Sequence, residues 1–164
     1  MMRKLIRDIM SPSVIGVTPE TPISEVTRLM RVHAVSCAPV LKDGQAVGIF
    51  TERSLVRHLA RRGATFSDRP VCEFMSSPVV TAREDMYLYE AFHIFDNNSI
   101  RHLLVVDESG RAVGVLTLSN LIDQIGADLL IELQPVSQVM SKVVYTVRDG
   151  IALRQVLSEM SERG

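Results

Sequence analysis

Two threonines occupy positions where the chain could bind a phosphate. Thr51 and Thr117 each follow an apolar run and precede a segment whose apolar residues have helical spacing. The first N–H groups of a helix lack partners within the helix, and the helix dipole is positive there, so such a position suits a phosphate. Three residues beyond Thr117, the amide of Asn120 can hydrogen-bond ribose hydroxyls, whereas Ser54, three residues beyond Thr51, is too short to span two hydroxyls. The alternative interpretation is that both threonines are ordinary helix caps.

These positions recur because the chain contains an internal repeat. Asp-Ile-Met-Ser at 8–11 reappears as Glu-Phe-Met-Ser at 73–76 and as Gln-Val-Met-Ser at 138–141, with successive methionines 65 residues apart. One extra residue in a turn of the second copy raises the offset to 66, which aligns Thr51 with Thr117. A fixed period of this kind predicts duplicated structural units.

The repeat divides the chain into three parts. We predict a first domain at residues 1–65 and a second domain at residues 66–132. Residues 133–164 are expected to form either the start of a third copy or a C-terminal docking segment.

Each full copy has the pattern strand, helix, strand, strand, helix. In the first copy an extended stretch at 14–17 precedes a helical pattern at 23–33, and Asp43-Gly44 joins two short apolar runs, which is a strong hairpin signal. Alternating strands and helices of this length predict an α/β (α+β) fold with helices packed on a small sheet. One unit of about 60 residues would be marginally stable alone, so we expect the two units to pack as a pair.

The composition argues against several classes of function. With 18 basic and 19 acidic residues the net charge is -1, so no nucleic-acid partner is expected. There is no signal-peptide core and no run of about 18 apolar residues, which predicts neither export nor membrane insertion. Cys37 and Cys72 are too few for a disulfide framework or a structural zinc site, so we expect no metal and a cytoplasmic location. No Gly-rich phosphate loop, G-x-S-x-G turn or H-E-x-x-H motif occurs, and we therefore predict no catalytic residues and no enzyme.

A basic stripe follows Thr51 along the second predicted helix. Arg53, Arg57 and Arg61 recur every four residues and therefore share one face of that helix. The stripe could contact phosphates or nucleic acid. We interpret it instead as a solvated helix face or a salt-bridge surface between domains.

Two stretches of each copy resemble the C-terminal half of a CBS domain, the module named after cystathionine β-synthase. They are Val35 to Val40 and Gly48 to Leu55 in the first copy, and Ile100 to Asp107 and Gly110 to Leu121 in the second. Over roughly residues 3 to 130 the tandem resembles a Bateman module. The resemblance implies two β-α-β-β-α units packed as a pseudo-two-fold pair. It also implies binding of an adenosine-containing ligand such as AMP, ADP, ATP or S-adenosylmethionine, control of an attached or partner protein, and no required cofactor.

The resemblance further implies two ligand clefts, each shared between the copies. In the first cleft, Thr117 and Asn120 face residues of the first copy, namely Ile15, Gly16, Val35, Ser36, Cys37 and Pro39. In the second cleft, Thr51 and Ser54 face Val80, Ile100, Arg101 and His102. The family usually has Asp at the sugar-binding position, where Asn120 keeps hydrogen bonding but loses the negative charge. The second cleft has the better phosphate cations and the first has the better ribose partner, so we favour the first.

Two functions remain open from the sequence. In one, nucleotide binding changes the packing of the pair, and a downstream output domain or partner protein responds. In the other, the module is a structural dimerisation element with degenerate, non-binding clefts. A homodimer is expected under both, and the apolar helices Tyr87 to Phe95 and Leu121 to Leu133 are candidate interfaces.

Overall fold

The computed structural model describes residues 4–63, 65–130 and 136–163. The first copy contains α1 (Ile23–Val32), β1 (Cys37–Lys42), β2 (Gln45–Thr51) and α2 (Glu52–Arg62). The second copy contains β3 (Thr81–Arg83), α3 (Leu88–Asn98), β4 (His102–Val106), β5 (Ala112–Thr117) and α4 (Leu118–Leu130). Two further helices follow, α5 (Val136–Val139) and α6 (Leu153–Arg163). The mixed α/β class predicted from the sequence is confirmed.

Each copy is built around one antiparallel hairpin. β1 pairs with β2 and β4 pairs with β5, each pair with one irregularity in register. The turn between β1 and β2 places Asp43 and Gly44 at φ of 53° and 79°. Two successive positive φ values match the twist of a two-residue hairpin, which is why Asp-Gly predicts this turn.

The two copies differ in the strand that precedes the first helix. In the second copy, β3 pairs in parallel with β4 over three residues. In the first copy, the expected strand at 14–17 is reduced to one bridge, between Val17 and Val40. Val17 N donates to Pro39 O and Leu41 N donates to Val17 O, but Pro39 has no N–H with which to extend the ladder toward residue 15. The equivalent position in β4 is Leu104, which has an N–H, so the longer pairing forms there.

The copies exchange the segments that contain their Met-Ser motifs. Ile6 is fully buried in the core of the second copy, and Ser11 exchanges two backbone hydrogen bonds with Val115 of β5, at 2.9 and 3.0 Å. In the same way, Phe74 packs in the core of the first copy, and Ser76 exchanges two bonds with Ile49 of β2, at 2.9 and 3.1 Å. The segment before each repeat therefore completes the other repeat.

The methionine of each motif covers a glycine of the other copy. Met75 lies against Gly48 in β2, and Met10 lies against Gly114 in β5. A Cβ at Gly114 would stand 2.6 Å from Met10 Sδ and 2.8 Å from the Ser11 carbonyl oxygen, whereas the close neighbours at Gly48 all belong to the Met75 side chain. Absence of a side chain at these two positions lets the exchanged segments reach the strands.

A third cluster joins the two sheets. Cys37 and Ile49 of the first copy pack against Leu104 and Val115 of the second, and all four are buried. The ends of β1 and β4 are consequently held side by side. This arrangement determines which residues of the two copies can meet in a cleft.

The C-terminal segment follows the repeat only in part. α6 starts 65 residues after the start of α3, as the period predicts, and it packs against α2 of the first copy. Within residues 136–163 no strand is formed. The third copy therefore stays a prediction.

Candidate ligand clefts

The first cleft lies where the start of α4 faces the chain before β1. Thr117 and Asn120 contribute from the second copy, and Ile15, Val35, Ser36, Cys37 and Pro39 contribute from the first. Ser11, Ser13, Ala34 and Val115 also line it. Gly16 does not line it, because its backbone lies against the side chain of Leu41. The cleft volume is about 180 Å³.

Thr117 and Asn120 form a closed hydrogen-bonded pair at the start of α4. Asn120 Oδ1 accepts from the Thr117 backbone N at 2.9 Å and from Thr117 Oγ1 at 2.7 Å, and Asn120 N donates to Thr117 Oγ1 at 3.2 Å. A backbone N–H can only donate, so the amide oxygen must face it. The Nδ2 amino group is therefore the part of Asn120 left for a ligand. A ribose hydroxyl would accept from Asn120, the reverse of its bond to a carboxylate.

The side of the first cleft formed by β1 is uncharged. Cys37 is only 5% exposed, and burial, followed by the nearby Glu52 carboxylate, raises the pKa of its thiol to about 11. The thiol is neutral near pH 7, and no other lining residue of this cleft is ionisable. The first cleft thus offers hydroxyls, an amide and apolar surface, and no charge.

The second cleft is larger, about 240 Å³, and lies where the start of α2 faces the chain before β4. Thr51, Ser54, Val80, Ile100, Arg101 and His102 all line it, as expected from the sequence. Its other lining residues are Ile49, Glu52, Arg53, Arg57, Ser76, Pro78, Val79 and Ser99. The sequence predicts that Arg53 and Arg57 belong to a solvated helix face or a salt-bridge surface between domains, whereas both line this cleft in the structure. Their spacing predicts a shared face of α2, but the sequence alone does not show that this face borders a cleft.

Thr51 both caps α2 and lines the second cleft. Thr51 caps α2, accepting from Ser54 N at 3.2 Å, and the two hydroxyl oxygens are also 3.2 Å apart. Ser54 is 3% exposed, so its hydroxyl is largely occupied by Thr51. The helix-cap interpretation therefore holds for both threonines, and each of them still lines a cleft.

One hydrogen bond connects the walls of the two clefts. Ser36 Oγ and His102 Nε2 are 2.7 Å apart, and Ser36 lines the first cleft while His102 lines the second. Burial, and then the adjacent Arg101, lower the pKa of His102, whereas Glu52 acts in the opposite direction. The imidazole is thus neutral near pH 7.

Two other kinds of site are absent from the part of the chain that the structure describes. No group of three or more His, Cys, Asp or Glu residues there could hold a metal ion. No helix within the same residues is long and apolar enough to cross a bilayer.

Comparison with known proteins assigns two parts of the chain to one family. The family model described as CBS domain matches residues 6–61 and 71–127. Inosine-5'-monophosphate dehydrogenase of Thermoplasma acidophilum is 36% identical over 118 residues, which is 72% of this chain but only 22% of that enzyme. The chain therefore spans about a fifth of the length of that relative.

Solved structures resemble this chain over most of its length. The CBS domain pair of protein MJ0100, in complex with 5'-methylthioadenosine and S-adenosyl-L-methionine, has 25% identity and a TM-score of 0.69, covering 76% of this chain and 98% of that one. Protein MJ1225 of Methanocaldococcus jannaschii, described as a putative archaeal homolog of g-AMPK, has 19% identity and a TM-score of 0.85. That comparison covers 97% of this chain and 63% of the other and shows the shared fold alone.

Proposed function

Because this chain belongs to the CBS-domain family, we propose that it is a regulatory module that binds an adenosine-containing nucleotide between its two CBS domains. The expected ligand is AMP, ADP, ATP or S-adenosylmethionine. The observation that carries the proposal is that both clefts are built from both domains, with a capping threonine from one domain facing the start of a strand in the other.

The chemistry of the lining residues supports a nucleoside ligand. Each cleft combines apolar side chains, which can contact a base, with a few convergent hydroxyl, amide or guanidinium groups. The MJ0100 pair, which is 25% identical, was solved with two adenosine derivatives. Binding of a compound of this class by the present chain is the expectation that follows.

Regulation follows from the shared construction of the clefts. A ligand held by both domains favours the arrangement of the pair in which both sets of contacts are made, and this preference shifts the population of states. An attached or partner protein that distinguishes those states would respond to the nucleotide. We expect the module to act in the cytoplasm as a homodimer.

The Ser36–His102 pair is assigned a structural role and no catalysis. A serine hydroxyl 2.7 Å from an imidazole has the distance of a nucleophile and base. Such a base is normally oriented by a third group. Among the hydrogen bonds of the described residues none orients His102 through Nδ1, and burial holds the ring against the protonated state.

A second candidate function is a dimerisation module that binds no nucleotide. It is favoured by Ser54, whose buried hydroxyl bonds to Thr51, and by exposed apolar side chains on the helices of the second domain. Tyr89, Phe92 and Ile122 are 57%, 49% and 53% exposed. Binding distinguishes the two candidates, whereas dimerisation alone does not.

The test is thermal unfolding of the chain with AMP, ADP, ATP or S-adenosylmethionine, followed by calorimetric titration of each active compound. A ligand present at 100 times its Kd stabilises the folded state by about 2.7 kcal/mol, which raises the unfolding midpoint by several degrees. Asn120→Ala is expected to weaken a ligand of the first cleft about tenfold, by removing one hydrogen bond.

The matched control is Asn97→Ala, which changes an exposed asparagine of α3 that lines neither cleft. Its ligand affinity should equal that of the unchanged chain. Absence of any midpoint shift at millimolar ligand, in a folded chain, would overturn nucleotide binding in favour of the dimerisation module.

A further inference from the structure

The second cleft has an excess of positive charge that no salt bridge among the described residues neutralises. Arg53 and Arg57 of α2 and Arg101 before β4 all line it, and all three are exposed. Among the described residues, none of these three arginines forms a salt bridge. Four other arginines do form one with a nearby carboxylate, namely Arg28, Arg69, Arg83 and Arg163. The three guanidinium groups of the cleft are therefore available to a ligand.

The charge balance sets the minimum negative charge of that ligand. Among the described residues that line the cleft, only Glu52 contributes a carboxylate, so three guanidinium groups leave a net charge of +2. His102 adds nothing near pH 7, because burial and Arg101 lower its pKa. A ligand that neutralises the cleft carries at least two negative charges. Among the described residues that line the first cleft, the only ionisable group is the neutral thiol of Cys37. That cleft therefore requires no charge on its ligand.

The positions of the arginines give the charge a direction. Arg53 and Arg57 are four residues apart on α2, so they lie on one face about one turn apart and lead away from the Thr51 cap. Arg101 lies on the opposite wall, beside Ile100 and His102. A row of phosphates that begins near Thr51 would meet cations on both sides. Guanidinium groups suit this role because each can form two parallel bonds to phosphate oxygens.

We propose that the second cleft is selective for polyphosphates and takes a nucleoside diphosphate or triphosphate, whose terminal phosphates contact Arg53 and Arg57. The first cleft takes a nucleoside of little or no charge. The proposal rests on the proposed function, because it assigns ligand classes to the same two clefts.

The experiment is calorimetric titration of the full chain with adenosine, AMP, ADP, ATP and inorganic tripolyphosphate, without divalent cations. ADP should bind about tenfold and ATP about 100-fold more tightly than AMP, since each added charged contact contributes about a tenfold gain. Raising the salt concentration should reduce the ATP affinity more than the AMP affinity and leave adenosine unchanged.

Variants locate the effect. Arg53→Gln and Arg57→Gln should each lower ATP affinity about tenfold while AMP affinity changes less than about twofold. Arg61→Gln is the matched control, because Arg61 lies one turn further along α2, is exposed, and does not line the cleft. It should retain the full preference for ATP. Unfolding midpoints without ligand establish that each variant is folded.

The outcomes separate the two proposals. Equal affinity for AMP and ATP, or equal losses of both in the arginine variants, would overturn polyphosphate selectivity while leaving nucleotide binding intact. Tripolyphosphate binding that depends on Arg57, without binding of any adenine compound, would support the cationic site and overturn the nucleotide function. Failure of every compound to bind would overturn both proposals.

Discussion

The two clefts share a backbone plan and differ in chemistry. Thr51 and Thr117 cap equivalent helices, yet the side chains at equivalent wall positions are Ser36 and Cys37 in one domain and Arg101 and His102 in the other. The first cleft is smaller and uncharged, and the second is larger and cationic. A few different side chains on a shared backbone plan therefore give two clefts of different charge.

The difference in charge between the two clefts is tested most sharply at Cys37. A thiolate is the reactive form of cysteine, and with a pKa of about 11 and 5% exposure Cys37 should react with Ellman's reagent at least about 100-fold more slowly in the folded chain than after denaturation. Cys72→Ser removes the exposed thiol, so that the remaining signal comes from Cys37. Rapid labelling of folded Cys72→Ser protein would place a negative charge in the first cleft and remove the contrast.

A second comparison concerns the strands behind the clefts. Gly114→Ala should cost about 2 to 3 kcal/mol, since its Cβ meets the Ser11 backbone oxygen as well as Met10, whereas Gly48→Ala should cost about 1 kcal/mol, since only the flexible Met75 side chain must move. Denaturant unfolding of the two variants measures both losses. Equal losses would show that the two walls adjust equally well. The expected result would make the wall of the first cleft the more rigid one.

The smallest expected effect is a pH dependence from His102. A folded-state pKa below the unfolded value near 6.5 means that the unfolded chain binds the proton first. Stability should therefore be complete above about pH 6.5 and should fall, by less than about 1 kcal/mol, as the pH drops from there toward the lowered pKa.

His102→Gln should reduce this loss without abolishing it, because burial also lowers the pKa of His58 in the first domain. The measurement is urea unfolding of the chain and the variant across this pH range. If both lose stability in parallel, folding does not lower the pKa of His102, and the second cleft gains one more positive charge once the pH falls below about 6.5.

The sequence predicted those parts of the fold that depend on local pattern. The Met-Ser period, the Asp43-Gly44 turn and the helices after Thr51 and Thr117 follow from spacing and residue type, and the structure has all of them. The shortened strand of the first copy required knowledge of its partner, because the missing N–H belongs to Pro39 of β1.

The clefts show the same limit. Of the residues that the resemblance implied, all but Gly16 line a cleft. Gly16 faces Leu41 instead, and Arg53 and Arg57 border the second cleft although the resemblance did not imply them. Helical spacing identifies residues that share a face, while tertiary packing decides what that face meets. The ligand roles of all these residues stay predictions.

Because the Met-Ser segments are exchanged, a force applied along the chain would not act on the two domains in the order of the sequence. Ser11 exchanges two backbone hydrogen bonds with Val115, and both residues line the first cleft. Tension applied at the N-terminus would therefore reach the second domain before the first, and would pull directly on one wall of the first cleft. A pull on the residues just before Ser11 would thus displace that wall without any contact with a ligand.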